Sequence, residues 1–315
     1  MTHQRSRSSK VSIVMPTYNR AYIINRAIIS VLNQTFTDWE LIVVDDSSKD
    51  NTLKIVDSYQ DSRVILLSQD PAKKGAAAAR NVGIAASSGE YVAFIDSDDE
   101  WLPKKLQKQL EVFNTTDLDQ VGVVNCGRKI YYPDSTVLSI PSRRGWVRQD
   151  LLALRGEISN INMIISKSAA QGELWFDESL KSSEEWDLQI RLAGVCQYDS
   201  CDDILVNKYE VNDDRVYTGI SIPDGLSVVM QKYDNELLAM PGVRARHWGG
   251  IGLTYWKLGN SKAARISIRR ALKGRFWSLR LHIYFMLTFT GKLGPRIFRE
   301  IQHGPLPTKF VHAEQ

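Results

Sequence analysis

Residues 89–100, with the sequence GEYVAFIDSDDE, decide the fold. Their apolar run, Tyr91–Ile95, predicts a buried strand, and acidic residues follow it at once. Residues 41–48, LIVVDDSS, repeat the pattern. Uninterrupted apolar runs are typical of parallel strands buried on both faces, and the ligands of such sheets bind beyond the carboxyl ends of the strands. Both acidic groups are therefore predicted to lie at the ligand-binding edge.

The same alternation extends along the first hundred residues. Further strands are predicted over Val11–Met15, which Pro16 ends, and over Val64–Leu67. Helices are predicted around residues 27–32, from a cap at Asp50 to Tyr59, and over Ala76–Ala86. This βαβαβαβ order predicts an α/β domain with a mostly parallel, Rossmann-like central sheet.

The pattern is less regular after residue 100. A helix is predicted over Lys104–Phe113, and mixed strands run from Val121–Ile130 through a turn at residues 133–134 to about residue 172. Ser182–Ala193 is predicted to be a helix with a serine cap and acidic residues in its first turn, where the helix dipole favours them.

Length and composition indicate a globular protein with one large domain and an appendage. The 315 residues are 43% hydrophobic and 24% charged, which excludes disorder, collagen and coiled coil. Three cysteines do not suggest a disulfide framework, and the polar first ten residues have no apolar signal-peptide core. We expect a cytoplasmic protein, either free or peripheral on the cytoplasmic face of the membrane.

Charge is distributed unevenly along the chain. Residues 244–315 hold 14 Lys and Arg against two acids, a net +12, whereas the remainder holds 26 against 34, a net −8. A basic tail on an acidic body predicts an anionic partner for the tail, and a solvated basic helix pair is the alternative.

The basic region has the spacing of a helix–turn–helix unit similar to a tetratricopeptide repeat. The matching positions are Trp248, Ile251, Gly252, Tyr255, Gly259, Ala264, Ile268 and Ala271. The predicted organisation is a flexible tail over residues 1–10, the α/β domain over 11–242 and this helical region over 243–315.

An apolar run at Leu281–Thr290 is too short to span a bilayer, which takes about 20 residues. It is flanked by Arg275, Phe276, Trp277, Arg280, Arg296 and Arg299. These flanks favour a helix lying in a membrane interface, so an anionic membrane surface is expected to meet residues 275–303. A buried core helix is the alternative. Nucleic acid is not expected as a partner, because the aromatic residues do not alternate with basic ones as stacking platforms.

Asp96 and Asp98 follow the strand at 91–95 as an Asp-x-Asp pair. Carboxylate oxygens suit Mg²⁺ or Mn²⁺, ions that usually take phosphate oxygens as further ligands. The pair therefore predicts a metal site for a nucleotide diphosphate, although acidic turns before helices are also common.

Three further residues are candidates for the same site. Asp46, in the Asp-Asp-Ser-Ser cluster after the second strand, could accept hydrogen bonds from a base or ribose, with helix capping as the alternative for this cluster. Arg80 could hold a phosphate or fix an acidic loop. One of Glu184 and Glu185, beside an aromatic residue at the start of a helix, could act as a general base, and first-turn acids that merely suit the helix dipole are the alternative.

The acidic clusters and their flanks resemble the inverting family 2 glycosyltransferases, which have the GT-A fold. The matching segments are residues 11–19 (VSIVMPTYN), 40–50 (ELIVVDDSSKD), 75–83 (GAAAARNVG), 89–99 (GEYVAFIDSDD) and 184–188 (EEWDL). The resemblance is dense over residues 11–105 and thinner to about residue 195.

This resemblance implies a role for each matching residue. The nucleotide pocket is implied to contain Pro16, Thr17, Tyr18, Asp46, Arg80 and Asp96. Asp98 is the implied main ligand of Mn²⁺ or Mg²⁺, with Asp96 beside it. Glu185 is the implied base, with Glu184 in reserve, because the family usually has Glu-Asp where this chain has Glu184-Glu185.

The implied reaction moves a sugar from a nucleotide-diphosphate sugar to a glycan or lipid-linked acceptor by a single displacement with inversion. Two alternatives stay open. A nucleotidyltransferase uses similar acids and Mg²⁺, but no Gly-rich phosphate loop follows the first strand. A non-catalytic scaffold would keep the fold without needing all three acidic clusters.

Overall fold

The computed structural model describes residues 10–70, 72, 75–154, 159–210, 221–275 and 277–289. The predicted N-terminal tail, except for Lys10, lies outside these residues. The chain divides into two compact units, one of Met1–Ser179 with Glu184–Asp214 and one of Leu180–Ser183 with Arg215–Gln315. Each unit is described by itself.

The first unit begins with a parallel sheet. Its strands are β1 (Val11–Thr17), β2 (Trp39–Asp45), β3 (Val64–Ser68) and β4 (Tyr91–Phe94), and the helices between them are α1 (Ile24–Leu32), α2 (Thr52–Asp57) and α3 (Ala76–Ala86). β1 is parallel to β2 and β4, and β2 is parallel to β3. The predicted α/β alternation is confirmed.

The sheet becomes mixed beyond β4. The later elements are β5 (Glu100–Trp101), α4 (Lys105–Thr115), β6 (Val121–Tyr132), β7 (Ser135–Ser139), α5 (Arg148–Leu152), β8 (Met163–Ser166), α6 (Glu184–Leu192) and β9 (Gln197–Tyr209). Among the described residues the strand order is β3-β2-β1-β4-β8-β6-β9-β5, with β7 beside β6. β8 is antiparallel to β4 and β6, and β6 is parallel to β9.

Alternate residues of the central strands enter two different apolar layers, because neighbouring side chains point to opposite faces of a sheet. Ile13, Met15 and Val43 lie in the main core, into which α1 packs Ile24, Ala27, Ile28 and Val31, all fully buried. Ile42 and Val44 face the other way and pack with Ala79 of α3. The sheet therefore has helices on both faces, as a parallel α/β sheet requires.

Two local expectations differ from the structure. The predicted helix over 182–193 begins at Glu184, and the Ser182 hydroxyl donates to the Ser221 carbonyl. β9 was not predicted, because its sequence QYDSCDDILVNKY contains three aspartates. Its pairing with β6 overrides that composition, since strand propensity depends strongly on context.

The second unit is helical. It contains α7 (Ser221–Lys232), α8 (Asp234–Leu238), α9 (Pro241–Lys257), α10 (Ser261–Gly274) and α11 (Leu279–Leu287). α9 and α10 form the predicted helix–turn–helix, with Gly259 at φ 81° in the turn and Ile268 against Gly252 at the contact. Membership of the tetratricopeptide class stays a prediction.

The division between the units also differs from the expected boundary at residues 242–243. α7 and α8 precede that boundary, but they pack against α9 and so belong to the helical unit. The change of composition at residue 243 therefore lies inside this unit.

Gly83 lets α3 approach β1 closely. A Cβ atom at this position would lie 2.3 Å from Cγ1 of the fully buried Val14. Valine is stiff about χ1, so it has little freedom to move aside. We expect Gly83→Ala to lower the free energy of unfolding by about 1–2 kcal/mol, since the overpacking exceeds the gain in helix propensity.

Urea unfolding measures this effect. Val14→Ala frees the space that the new methyl group needs, so the double variant should lose less stability than the two single variants together. An unchanged urea midpoint in Gly83→Ala would show that the helix and strand are not in close contact.

Candidate active site

Asp46, which follows β2, ties together three segments at the carboxyl edge of the sheet. Its backbone N–H donates to the Thr17 carbonyl at 2.8 Å. Its carboxylate accepts from Gln69 Nε2 at 3.0 Å and from the Gly75 N–H at 2.9 Å. Asp46 thus joins the ends of β1 and β2 to the start of α3.

Residues 16–18 present different groups at the same edge. Pro16 lies in β1 beyond Val14, the last residue paired with β4, so its missing N–H leaves no gap in that ladder. Thr17 is buried, and its Oγ1 has no hydrogen-bond partner among the described residues. The Tyr18 side chain is 45% exposed. The Thr17 hydroxyl, which has no partner among the described residues, and the exposed Tyr18 ring beside it are suited to a polar, planar ligand.

Asp96, Asp98 and Asp99 lie together just after β4. One carboxylate oxygen from each lies within 4.8 Å of those of the other two. Asp99 is almost fully buried, and its Oδ1 accepts from the Tyr209 N–H at 3.1 Å. Within the described part of the chain its Oδ2 has no hydrogen-bond partner. Three close oxygens with one unsatisfied buried atom match the ligands that Mg²⁺ and Mn²⁺ prefer.

The electrostatics of this cluster also favour a cation. Burial and the Asp96 carboxylate raise the pKa of Asp98. Burial raises the pKa of Asp99 well above its ordinary value, and Asp96 and Asp98 raise it further against the opposing charge of Lys208. Added positive charge at the cluster would offset this repulsion, so the residues present fit a divalent metal.

Arg80 of α3 brings the remote acids together. Its side chain is 5% exposed and contacts three carboxylates, with Nη2–Asp96 Oδ1 at 2.9 Å, Nη1–Glu184 Oε1 at 3.2 Å and Nη2–Glu185 Oε1 at 3.7 Å. Burial lowers the pKa of Arg80, but the three carboxylates reverse that effect and raise it, so the guanidinium stays charged. Of the two roles left open by the sequence, these contacts match the fixing of acidic residues.

Glu184 and Glu185 begin α6 and differ in environment. The Glu184 side chain is 3% exposed and hydrogen-bonded to Arg80, whereas Glu185 is 27% exposed and farther from the guanidinium. Burial raises the pKa of Glu185 to about 7, helped by Asp96 and Glu184 and opposed by Arg80 and Lys208. Glu185 is therefore the carboxylate better placed to exchange a proton near neutral pH.

Arg26 and Tyr209, which the sequence did not single out, brace the loop that carries the metal candidates. The Arg26 guanidinium donates to the Asp98 carbonyl and lies 3.6 Å from the Tyr209 ring centroid. The Tyr209 hydroxyl donates to Glu100 at 2.9 Å, and Tyr131 stacks on its ring at 4.9 Å. No local motif marks these residues, because β9 brings Tyr209 to the site by long-range pairing.

Asp99 was also missed, although it adjoins the predicted ligand Asp98. Overall, Asp96, Arg80, Glu184 and Glu185 are in contact, and Asp98 and Asp99 join them through Asp96. Thr17 ends β1 and Asp46 follows β2, so both lie at the same edge of the sheet as the loop after β4.

A doubly wound sheet that gathers carboxylates around an arginine at its carboxyl edge defines an α/β domain of the GT-A type. Residues 12–165 match the model of glycosyl transferase family 2. This segment is therefore similar to the glycosyl transferase family 2 domain, as its sequence motifs implied.

Curated relatives agree with this family. The chain is 49% identical over 102 residues to the UDP-Glc:alpha-D-GlcNAc-diphosphoundecaprenol beta-1,3-glucosyltransferase WfgD of Escherichia coli, a match covering 32% of this chain and 40% of WfgD. It is 30% identical over 192 residues to the putative colanic acid biosynthesis glycosyl transferase WcaA of Escherichia coli K12, covering 58% of this chain and 66% of WcaA. The chain thus spans less than two thirds of the length of either relative.

Solved structures share the fold. Staphylococcus aureus TarS 1-349 in complex with UDP-GlcNAc superposes with a TM-score of 0.70 at 18% identity, covering 93% of this chain and 92% of that one. The mannosyltransferase PcManGT of Pyrobaculum calidifontis, in complex with GDP-Man and Mn²⁺, gives 0.56 at 17% identity, covering 94% and 85%.

Replacing Arg80 tests whether the buried guanidinium holds the acids together. We expect Arg80→Gln to cost about 3–5 kcal/mol of folding free energy, because it leaves buried carboxylates without a counter-charge. Losing that charge raises their folded-state pKa values, and the folded state then binds more protons than the unfolded state. The loss should therefore be greater at pH 8 than at pH 5 when both are measured by urea unfolding.

Arg144 offers a matched control. It also contacts two carboxylates, Asp117 and Asp199, but its side chain is 51% exposed. Arg144→Gln should have a small effect that varies little between the two pH values. Equal losses in the two variants would contradict the role given to Arg80.

Proposed function

We propose that the chain is an inverting glycosyltransferase that moves a sugar from a nucleotide-diphosphate sugar to an acceptor hydroxyl. The arrangement of Asp96, Glu184 and Glu185 around the buried Arg80 carries this proposal, because it unites the donor and base positions in one cluster. The family match supports the reaction class.

The donor would lie along the carboxyl edge of the parallel strands. Thr17, Tyr18 and Asp46 would contact its nucleoside, and Pro16 would shape the backbone beside it. Asp96 and Asp98 would meet its diphosphate. TarS bound to UDP-GlcNAc and PcManGT bound to GDP-Man and Mn²⁺ support a donor of this class.

Asp98, with Asp96 and Asp99 beside it, would hold Mn²⁺ or Mg²⁺. When bound, such an ion neutralises negative charge on the departing nucleoside diphosphate. Arg26 and Tyr209 would keep the ligand loop in place through the Asp98 carbonyl and the Asp99 carboxylate.

Glu185 would take the proton from the acceptor hydroxyl. The hydroxyl oxygen then attacks the anomeric carbon from the face opposite the leaving group, which inverts that carbon in one step. A carboxyl with a pKa near the working pH suits general base catalysis. Arg80 and Glu184 would orient Glu185 without taking the proton themselves.

We further propose a lipid-linked acceptor at a membrane surface. WfgD, by its name, acts on a diphosphoundecaprenol-linked sugar. Around α11 of the helical unit, the side chains of Trp277, Leu279, Met286 and Phe289 are all more than 60% exposed. Among the described residues, no helix is long and apolar enough to cross a membrane. Exposed apolar groups in a strongly basic region favour a helix lying in an anionic interface.

Glu185→Gln tests the base. We expect kcat to fall by about 10²–10⁴ when a sugar-nucleotide donor and an acceptor are supplied, because proton removal is lost. Glu184→Gln is the matched control and should keep kcat within about tenfold, since Glu184 is buried against Arg80. The reverse ranking would transfer the role of base to Glu184. Use of a nucleoside triphosphate in place of the sugar nucleotide would indicate a nucleotidyltransferase.

The pH dependence tests the same residue in another way. Because the base must be deprotonated, kcat/KM should rise with pH and level off above about pH 7, the pKa of Glu185. Glu185→Gln should remove this acid limb. A limb that persists in the variant would assign the titration to a different group.

Vesicle sedimentation tests the membrane surface. The triple variant of Trp277→Ala, Leu279→Ala and Met286→Ala should bind phosphatidylglycerol vesicles about tenfold more weakly or worse, because three exposed apolar side chains are removed. Ile266→Ala is a matched control, since Ile266 is a half-exposed residue of the same unit. Unchanged binding of the triple variant would remove α11 from the proposal.

A further inference from the structure

The segment just before β8 lies at the carboxyl edge of the parallel strands, where the candidate active site is. β8 is antiparallel to β4 and β6 and lies between them, so its first residues lie where β4 ends and opposite Asn125 within β6. Ala93 of β4 pairs with Ile164 of β8. Extending that register brings Ile95, one residue before Asp96, opposite Asn162. Asn160 therefore lies level with the loop that carries the metal candidates.

Asn160 has unusual surroundings for a buried side chain. It is fully buried, and neither Nδ2 nor Oδ1 has a hydrogen-bond partner among the described residues. Buried amides almost always have both groups paired, because an unpaired buried polar atom is costly. A polar ligand at this edge of the sheet would satisfy both groups.

The neighbouring polar side chains are arranged differently. Asn162 Nδ2 donates to the Cys126 carbonyl at 3.0 Å. Gln109 Nε2 donates to the carbonyls of Val124 and Asn162, at 2.7 and 2.8 Å. These bonds fix the backbone around the start of β8. The Asn160 amide, which has no partner among the described residues, therefore extends from a rigid part of the backbone.

Asn160 continues a row of unsatisfied polar atoms across the edge. Asp45 Oδ1, Thr17 Oγ1 and Asp99 Oδ2 are also buried without a partner in the described part of the chain. They belong to the ends of β2 and β1 and to the loop after β4, and β8 is next in the strand order. With about 4.8 Å between strands, the row extends over roughly 14 Å. An elongated polar ligand would satisfy it.

We infer that Asn160 hydrogen-bonds hydroxyl groups of the transferred sugar and contributes to the choice of donor. This inference rests on the proposed function, which assigns the nucleoside to β1 and β2 and the diphosphate to the loop after β4. The next group along the donor is the sugar, and the next strand is β8. One donating and one accepting amide group suit sugar hydroxyls, which both donate and accept.

The experiment compares binding of a sugar nucleotide with binding of the nucleotide alone. UDP, UDP-glucose, UDP-galactose and UDP-N-acetylglucosamine are titrated into the full chain with Mn²⁺ by calorimetry, and the tightest-binding sugar nucleotide is retained. Asn160→Leu keeps the branched shape and the number of heavy atoms but removes both hydrogen-bonding groups. We expect it to weaken sugar-nucleotide binding by about ten- to a hundredfold while changing UDP binding less than twofold.

Asn162→Leu is the matched control. It removes an amide whose Nδ2 is hydrogen-bonded to the backbone, so it should lower the melting temperature and weaken UDP and the sugar nucleotide equally. Asn160→Leu should not lower the melting temperature of the unliganded protein, because it removes unsatisfied atoms. Asn160→Ser serves as a second variant if the leucine variant does not fold.

Three results would overturn the inference. One is sugar-nucleotide binding by the Asn160 variants that equals wild type. Another is a loss shared equally by UDP and the sugar nucleotide, which would show a structural role. Failure of the wild-type chain to bind any of the four ligands, or GDP-mannose titrated in the same way, would reject the proposed function itself, and the inference with it.

Discussion

The site depends on one buried cation. Arg80 lies in a helix that packs on the sheet, and its guanidinium contacts carboxylates from the loop after β4 and from the start of α6. Asp96 and Glu184 are 88 residues apart in the chain, and without positive charge between them these carboxylates would repel one another. Desolvating a guanidinium is costly, so such an ion cluster is weak evidence for stability. Its effect is to fix where the acids are.

The other residues at the carboxyl edge of the sheet lower the free energy of unfolding, and burial of the apolar core offsets this loss. Thr17, Asp99 and Asn160 each bury polar atoms that have no partner in the part of the chain that the structure describes, and burial raises the pKa of Asp98, Asp99 and Glu185. Elsewhere in the first unit, β1 and β2 are largely apolar strands that are buried along their whole length. Unfavourable polar groups at one edge suit a binding site, where a ligand supplies the missing charge and hydrogen bonds.

The strands, and the acidic residues at their ends, could be predicted from short stretches of sequence because they depend on interactions between residues close together in the chain. β1, β2 and β4 are mostly apolar, and Asp46, Asp96 and Asp98 follow the ends of β2 and β4, so both the strands and the acidic edge of the sheet could be predicted. The brace of Arg26 and Tyr209 could not, because Tyr209 reaches the loop only through the pairing of β9 with β5 and β6. Asn160 was missed for the same reason. The role proposed for it depends on the position of β8 between β4 and β6, and no residue near Asn160 in the sequence specifies that position.

The Glu184-Glu185 pair, where the family usually has Glu-Asp, has a physical explanation in these surroundings. Glu184 is held by Arg80 at 3.2 Å, which fixes the first turn of α6. Glu185 lies 3.7 Å from the same guanidinium, beyond the range of a strong hydrogen bond, and is more exposed. Its additional methylene gives the carboxylate a longer reach than an aspartate would have. Burial raises the pKa of Glu185 to about 7 against the opposing charges of Arg80 and Lys208, so this longer side chain can also exchange a proton near neutral pH.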